Sequence, residues 1–186
     1  MKSSGYYSLN ELKKLGFKKI GNNLQIKKSV KFFFSKNITL GNNVRIEDYS
    51  IITGRGKVKI GDYVQISSHC CLLGKYGIEI GNYVTLAPGV KIFSGTDDYH
   101  GNHIYTSFLK NERFKEKIRG KVLIEDYVII GANCVIMPKL KIKEGVAIGA
   151  LSFVNKSLKQ WNIYFGNKIK KSKKRSKDFL KKLKKN

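Results

Sequence analysis

Apolar positions follow two nested repeats between residues 20 and 93. An aliphatic residue followed by glycine recurs every 20 residues, at Ile20, Leu40, Ile60 and Ile80. Inside each block the apolar position recurs six residues on, as at Ile26 and Phe32. Helices place apolar residues three and four apart and half-buried strands place them two apart, so a spacing of six predicts one flat face plus one corner of a coil. A repeat of this kind predicts a solenoid.

Three such faces close one triangular turn, and successive turns are expected to pair as parallel strands around a continuous core. The fifth position of the hexad also stays small or apolar, which predicts a second inward column: Val44, Ser50, Val64, Cys70, Val84 and Val90. Cys70 belongs to this column, and so does Cys134 further along, so we interpret both as core residues. Cys71 is predicted to point outward. The glycine of each block is expected at a corner, where a positive φ or a close backbone approach excludes a Cβ.

The repeat is interrupted once, from residue 93 to residue 121. It then returns without insertions at Ile124, Ile130, Ile136, Ile142, Ile148 and Val154, which predicts about two more turns. Unpatterned loops of this length tend to be functional or disordered. This one contains the adjacent acids Asp97 and Asp98 and the histidines His100 and His103, so we expect a functional loop.

Both ends of the chain differ from the coil. Ser8 and Glu11 form a capping-box pattern, which predicts a short helix covering the first turn. Beyond residue 156 the hexad ends; Trp161 and its apolar neighbours are expected to fold back over the coil, and residues 170–186 are predicted to be largely helical. The expected single domain thus comprises a helical cap (1–19), coils (20–92), an active-site loop (93–121), coils (122–155) and a basic segment with a helix (156–186).

The composition adds a strong positive charge. The 37 Lys and Arg residues exceed the 13 acids and give a formal net charge of +24. Such a charge attracts polyanions, but a solvated lysine-rich surface is the preferred interpretation, and with no nucleic-acid motif no specific nucleic-acid partner is expected. No signal peptide or apolar run of membrane-spanning length is evident, and the three cysteines follow no disulfide spacing, so a cytoplasmic location is expected.

The repeats of the form [LIV]-G-x-x-V-x, with one interrupting loop, resemble those of the hexapeptide-repeat acyltransferases. The resemblance covers about residues 6 to 180, and it implies a left-handed parallel β-helix that forms homotrimers. The runs IGNYVTLAPGVKIFSGTDDYHG and IGANCVIMPKLKIKEGVAIGALSFVNKSL are most similar to enzymes that acetylate nucleotide-linked amino deoxysugars. This likeness implies acetyl-CoA as donor, a dTDP- or UDP-linked amino sugar as acceptor, no metal, and a role in surface polysaccharide (O-antigen) biosynthesis.

One departure from the related O-acetyltransferases concerns the catalytic position. Those enzymes carry a histidine just after the LAPxVxI hexads, where this chain has Asp97, and His100 follows three residues later. A sugar hydroxyl needs a base to act as a nucleophile, whereas an amine is partly unprotonated already, so an aspartate favours an amine acceptor. A solvated turn is the other interpretation of this acidic pair. The catalytic candidates are Asp97, Asp98 and His100, and the substrate-binding candidates are His69, Tyr99 and His103.

The resemblance also suggests where CoA binds. Its pantetheine arm is expected along the C-terminal coils between two subunits, beside small residues that allow close approach: Gly131, Ala132, Gly149 and Ala150. The chain reads FGNKIKK where relatives often have Gly-x-Pro-Ala-Lys, so Asn167 replaces the proline. Lys168, Lys174 and Arg175 are expected near the 3′-phosphate of CoA. In this hypothesis the loop of one subunit presents the sugar amine to the thioester, and a backbone N–H stabilises the oxyanion.

Several alternatives stay open. The chain could be an O-acetyltransferase that uses His100 or His103 as base, or a non-catalytic polyanion-binding scaffold driven by its basic tail. A γ-type carbonic anhydrase shares the coil but needs clustered histidines on zinc, which three scattered histidines disfavour. Cys71 as an acyl carrier is less favoured because it would require an activating base.

Overall fold

The computed structural model describes residues 5–97 and 118–183, with the exception of the Lys182 side chain, and this part of the chain consists mainly of short strands. It contains two α-helices, α1 (Leu9–Lys14) and α2 (Asp178–Leu183), and a 3-10 turn at Ser35–Asn37. The strands are β1 (Gln25–Ile26), β2 (Lys31–Phe33), β3 (Ile38–Leu40), β4 (Arg45–Ile46), β5 (Ile51–Thr53), β6 (Val58–Ile60), β7 (Gln65–Ile66), β8 (Cys71–Leu73), β9 (Ile78–Ile80), β10 (Thr85–Leu86), β11 (Lys91–Phe93), β12 (Gly95–Thr96), β13 (Ile118–Arg119), β14 (Val122–Ile124), β15 (Ile129–Ile130), β16 (Val135–Ile136), β17 (Lys141–Ile142), β18 (Ala147–Ile148), β19 (Phe153–Val154), β20 (Asn162–Phe165) and β21 (Lys170–Lys174).

The strands form the three faces of a prism. Face 1 has the order β1-β4-β7-β10-β15-β18-β20-β21, face 2 has β19-β16-β11-β8-β5-β2, and face 3 has β17-β14-β9-β6-β3. All neighbours within a face are parallel except β20 and β21. The 20-residue repeat is the pairing register, as Ile46 pairs with Ile66 and Ile60 with Ile80. The predicted left-handed parallel β-helix is confirmed.

Three corners connect the faces and serve as landmarks below. On the turn that begins at Gly61, the third corner (residues 61–64) leads from face 3 to face 1, the first corner (67–70) leads from face 1 to face 2, and the second corner (74–77) leads from face 2 to face 3. Equivalent residues on successive turns stack along each corner.

The core holds one aliphatic side chain per face per turn. Ile26, Ile46, Ile66 and Leu86, for example, are fully buried on face 1, and burying each such side chain contributes about 1.5–3 kcal/mol. The predicted small column is buried as well: Val44, Ser50, Val64, Cys70, Val84, Val90 and Cys134. The interpretation of Cys70 and Cys134 as core residues is therefore confirmed, and burial raises the pKa of the Cys70 thiol to about 11.

The repeated glycines are required by close approach and not by torsion. A Cβ added to Gly61 would lie 2.5 Å from the carbonyl oxygen of Gly81 on the next turn. The positive φ values occur instead two residues later, at non-glycine positions such as Asn43, Tyr63 and Tyr83. Side-chain stacking along the corner accompanies this conformation, since the rings of Tyr63 and Tyr83 lie 4.8 Å apart. Of the two reasons that the sequence left open, the structure contains the close backbone approach.

The N-terminal cap follows the prediction. The Ser8 hydroxyl accepts a hydrogen bond from the Glu11 N–H, and the Glu11 carboxylate accepts one from the Ser8 N–H. Glu11 also pairs with Lys28 at 2.6 Å, and this contact lowers the pKa of its carboxyl to about 2. Leu12 is fully buried, so the helix covers the first turn of the core.

The C-terminal segment differs from the prediction. Trp161 and its apolar neighbours were expected to fold back over the end of the coil, but β20 pairs in parallel with β18 and extends face 1 by another strand. Residues 170–186 were expected to be largely helical, but β21 runs antiparallel along β20, and helix is confined to Asp178–Leu183 within the described chain. The edge of β20 supplies hydrogen-bond partners for the lysine-rich strand, whose side chains remain in solvent. Pairing at the edge therefore outweighs the weak helical pattern.

Candidate active site

The predicted site residues that the structure describes are distributed over all three corners of the prism. Along the first corner the structure stacks His69, which follows β7, with residues 131–132, which follow β15, and residues 149–150, which follow β18. Asp97 lies beyond the second corner, after β11 and β12. Arg175 contacts the third corner. One subunit therefore does not bring the acidic and CoA-binding candidates together.

His69 is a surface residue of the first corner. Its backbone has a φ of 58°, its N–H donates to the Asp48 carbonyl at 2.9 Å, and its ring stacks on Tyr49 with 5.3 Å between centroids. The imidazole is exposed. It is available to a ligand that lies along this corner, but within one subunit it is not part of the site around Asp97.

The small residues predicted to contact CoA form a narrow strip of this corner. The Gly131 N–H donates to the Ile148 carbonyl at 2.8 Å, and the Ala132 carbonyl accepts from the Leu151 N–H at 2.8 Å. A Cβ on Gly131 would lie 2.5 Å from the Ala150 nitrogen, so this glycine is required by the coil itself. Ala150 is exposed, and Leu151 beside it is 74% exposed. Of the four small residues, Ala150 is exposed, whereas Gly131, Ala132 and Gly149 are half-buried.

Cys71 lies on the outward side of face 2 and is half-buried. Burial raises the pKa of its thiol, although the charge of Lys91 acts in the opposite direction. A thiol with a raised pKa forms little thiolate at neutral pH, and the thiolate is the nucleophilic form. The structure therefore gives no activation of Cys71 as an acyl carrier.

Asp97 is held at the end of an anchored hairpin. Ser94 is fully buried; its hydroxyl donates to the Leu73 carbonyl at 2.8 Å and accepts from the Tyr76 N–H at 2.9 Å, and its carbonyl accepts from the Gly120 N–H. From this anchor, β12 pairs antiparallel with β13. Asp97 follows β12 and is exposed.

The predicted loop, residues 93–121, is therefore structured at both ends. Phe93 still belongs to β11, and the paired strands β12 and β13 form the base of the excursion. Four of the predicted site residues lie outside the described part of the chain: Asp98, Tyr99, His100 and His103.

The three cations predicted near the CoA phosphate are separated. Lys168 is exposed in the turn between β20 and β21, beside Phe153 on face 2, whereas exposed Lys174 ends β21. Arg175 donates from Nη1 to the carbonyls of Tyr127 at 2.7 Å and Gly145 at 3.2 Å, and burial lowers its pKa. Its guanidinium also lies 5.0 Å from the Phe179 ring. Arg175 thus attaches the C-terminal segment to the coil, a role that the sequence pattern did not indicate.

Replacing Arg175 with glutamine is expected to loosen this attachment. The substitution removes charged hydrogen bonds to two carbonyls and the contact with Phe179, so the free energy of unfolding should fall by about 1.5–3 kcal/mol. Thermal unfolding and hydrogen exchange in β21 and α2 measure the effect. Lys174→Gln, which removes a neighbouring exposed charge, is the control; equal melting temperatures for the two variants would contradict this role.

No protein-family model matches the chain. A dTDP-4-amino-4,6-dideoxy-D-glucose acyltransferase from Escherichia coli is 34% identical over 171 residues, which cover 91% of this chain and 88% of the relative. The chain belongs to this acyltransferase family. The expected relation to nucleotide amino-sugar transferases and the expected acyltransferase class are confirmed.

The fold of this acyltransferase is similar to solved structures of AntD, an N-acyltransferase from Bacillus cereus. AntD in complex with dTDP-4-amino-4,6-dideoxyglucose and CoA has a TM-score of 0.92 and 37% identity, covering 97% of this chain and 96% of AntD. AntD has also been crystallised with dTDP and 3-hydroxybutyryl-CoA, and in variants with an aspartate replaced. A hexapeptide-repeat acetyltransferase from Vibrio cholerae matches with a TM-score of 0.63, 18% identity and coverage of 94% and 84%, so it shares the fold.

Residues 5–97 and 118–183 contain no group of three or more His, Cys, Asp or Glu side chains placed to hold a metal ion. In the same residues, neither helix has the length and apolar character needed to cross a membrane.

Proposed function

We propose that the protein transfers an acetyl group from acetyl-CoA to the amino group of a dTDP-linked amino deoxysugar such as dTDP-4-amino-4,6-dideoxyglucose. The observation that carries this proposal is the full-length likeness to AntD, which binds that sugar nucleotide together with CoA. The relative from Escherichia coli is named for the same sugar. A CoA thioester is the acyl donor, and acetyl is the proposed acyl group.

The chemistry is a direct transfer. The amine nitrogen attacks the thioester carbonyl, a tetrahedral oxyanion forms, the carbon–sulfur bond breaks, and the proton lost from nitrogen ends on the released thiol. Asp97 is proposed to accept a hydrogen bond from the amine, which orients its lone pair and stabilises the positive charge that develops on nitrogen. The exposed carboxylate at the end of an anchored hairpin supports this role, and the crystallised AntD variants include replacements of an aspartate.

The active site is proposed to form between subunits of a homotrimer. Within one subunit Asp97 and the strip around Ala150 belong to different corners of face 2. An adjoining copy can bring the hairpin of one subunit to the first corner of the next, and a closed symmetric ring repeats that contact at every interface. The proposed substrates are cytoplasmic metabolites, so we place the enzyme in the cytoplasm and its product in surface polysaccharide assembly.

A matched pair of acceptors tests the proposed reaction. The enzyme should release CoA thiol from acetyl-CoA with dTDP-4-amino-4,6-dideoxyglucose, and it should show little release with the dTDP-sugar that carries a hydroxyl at the same carbon. Comparing acetyl-CoA with 3-hydroxybutyryl-CoA tests the acyl group. Equal or faster transfer to the hydroxyl sugar would contradict the proposal and favour a histidine base, His100 or His103.

A further inference from the structure

A cation and an aromatic ring lie together at the base of the hairpin that carries Asp97. Arg119 on β13 places its guanidinium 5.7 Å from the centre of the Tyr76 ring. Arg119 is exposed and Tyr76 is partly exposed, so both can reach a ligand at this surface. The Nζ of Lys75 lies 5.1 Å from the same ring, which adds a second positive charge.

Buried hydrogen bonds fix this pair relative to Asp97. The Ser94 hydroxyl accepts from the Tyr76 N–H at 2.9 Å, and the Ser94 carbonyl accepts from the Gly120 N–H at 2.9 Å. Ser94 thus joins the loop that carries Tyr76 to both strands of the hairpin. Arg119 and Tyr76 are held on a rigid part of the coil, as ligand-positioning residues need to be.

The pairing of β12 and β13 puts Arg119 on the same side of the hairpin as Asp97. Arg119 is directly opposite Gly95, so these two residues share one side of the hairpin. Extending the alternation of side chains by one residue beyond β12 puts Asp97 on that side as well, and Gly95 places no side chain between Asp97 and Arg119. Two residues along a strand span about 7 Å, a distance comparable with the width of one sugar ring.

Charge pairing distinguishes Arg119 from its neighbours. Lys121 pairs with Glu79 at 2.6 Å, and Lys141 pairs with Glu125 at 2.8 Å. Within residues 5–97 and 118–183, no carboxylate pairs with Arg119. A guanidinium of this kind suits bidentate binding of phosphate, because its planar fork of donors matches the phosphate oxygens.

We propose that Arg119 binds the diphosphate of the nucleotide-linked acceptor while Asp97 binds the sugar amine, and that Tyr76 positions the Arg119 guanidinium. This inference rests on the proposed function, because a nucleotide diphosphate sugar carries an anionic diphosphate on one side of the ring and the reacting amine on the other. The hairpin carries a carboxylate and a guanidinium on the same side. It thereby selects an acceptor by both ends of its sugar.

Direct binding of dTDP tests the role of Arg119. In calorimetric titrations Arg119→Gln should raise the Kd for dTDP by about 10- to 100-fold, since a charged hydrogen-bond network to phosphate is lost. Arg119→Lys should give an intermediate Kd, because it keeps the charge and loses the bidentate geometry. Tyr76→Leu should raise the Kd less than Arg119→Gln. In steady-state assays Arg119→Gln should raise KM for the amino-sugar nucleotide and leave KM for acetyl-CoA unchanged.

Arg45→Gln, which removes an arginine from face 1, serves as the charge-matched control, and melting curves establish that each variant is folded. If Arg119→Gln binds dTDP with a Kd within about twofold of the wild-type value, far less than the loss of charged hydrogen bonds to phosphate would cause, the assignment of Arg119 is overturned while the proposed function stays intact. A wild-type enzyme that neither binds dTDP nor acylates the amino sugar would overturn both.

Discussion

Replacing Asp97 with asparagine is expected to lower kcat/KM for the amino-sugar acceptor by about 10²- to 10³-fold, the range for removing one group that stabilises charge in the transition state. Asparagine keeps the shape of the side chain but removes the negative charge that orients the amine and stabilises the ammonium character of the attacking nitrogen. Asp97 is exposed, so the substitution should leave the melting temperature unchanged. The measurement is CoA thiol release at saturating acetyl-CoA over a range of acceptor concentrations.

Two further variants make this result specific. Asp178→Asn removes an exposed acid at the start of α2 and should retain wild-type activity. Asp98→Asn compares the adjacent acid with Asp97, since the sequence identifies both as catalytic candidates. Full activity of both Asp97→Asn and Asp98→Asn with the authentic acceptor would refute the assignment of this acidic pair to the active site.

Replacing Gly61 with alanine is expected to destabilise the coil by about 3 kcal/mol, the upper end of the range for substitutions that force extra atoms into a packed interior. The new Cβ would lie 2.5 Å from the carbonyl oxygen and 2.7 Å from the carbonyl carbon of Gly81. Both atoms belong to the backbone of the next turn, so they cannot move aside as a flexible side chain would. Relief requires that two turns separate, which would break the parallel pairing of face 3.

Differential scanning calorimetry measures this effect, because each kcal/mol shifts the melting temperature of a chain of this size by about 2–4 °C. Gly149→Ala is the matched control: its Cβ would meet Phe165 Cβ at 3.1 Å, a milder contact near the end of the coil. A Gly61→Ala variant that melts no lower than Gly149→Ala would contradict the close approach of Gly61 to the backbone of the next turn.

The coil could be predicted from sequence because the pairing register of its strands equals the 20-residue period of the sequence. Four blocks align without a slip, and the same 20-residue offset pairs Ile46 with Ile66 and Ile60 with Ile80. The glycine position was predictable, but its cause was not, since a torsional and a steric requirement both exclude a Cβ. Only the distance from Gly61 to the next turn separates them.

The C-terminal segment could not be predicted because its structure depends on partners distant in sequence. Lysine-rich residues 170–174 have no apolar repeat, and their strand forms because β20 offers an unpaired edge. Arg175 has the same sequence context as the surrounding lysines. Its burial depends on the carbonyls of Tyr127 and Gly145, which are 48 and 30 residues away.

The candidate site follows from the sequence in part. The interruption of the hexads pointed to Asp97 and the hexad count pointed to the small residues of the first corner, and the roles of these residues stay predictions. The hexad count also assigns Asp97 and the small residues to different corners of the coil. The contact between subunits that would bring them together is not encoded in the repeat of one chain. The proposed roles of Arg119 and Tyr76 were not predicted, although an arginine three residues before Val122, where the coil strands resume, was a usable signal.

The central claim is that the active site combines the hairpin of one subunit with the first corner of another. It is tested most directly by mixing Asp97→Asn subunits with Ala150→Trp subunits. The indole ring of the second variant should block the small residues of the first corner where CoA is proposed to bind. Each variant alone should be nearly inactive. If each site draws its hairpin and its corner from different copies, random equimolar mixing should restore about a quarter of wild-type activity. Mixed oligomers that recover no activity, with exchange of subunits verified by mass spectrometry, would contradict the claim.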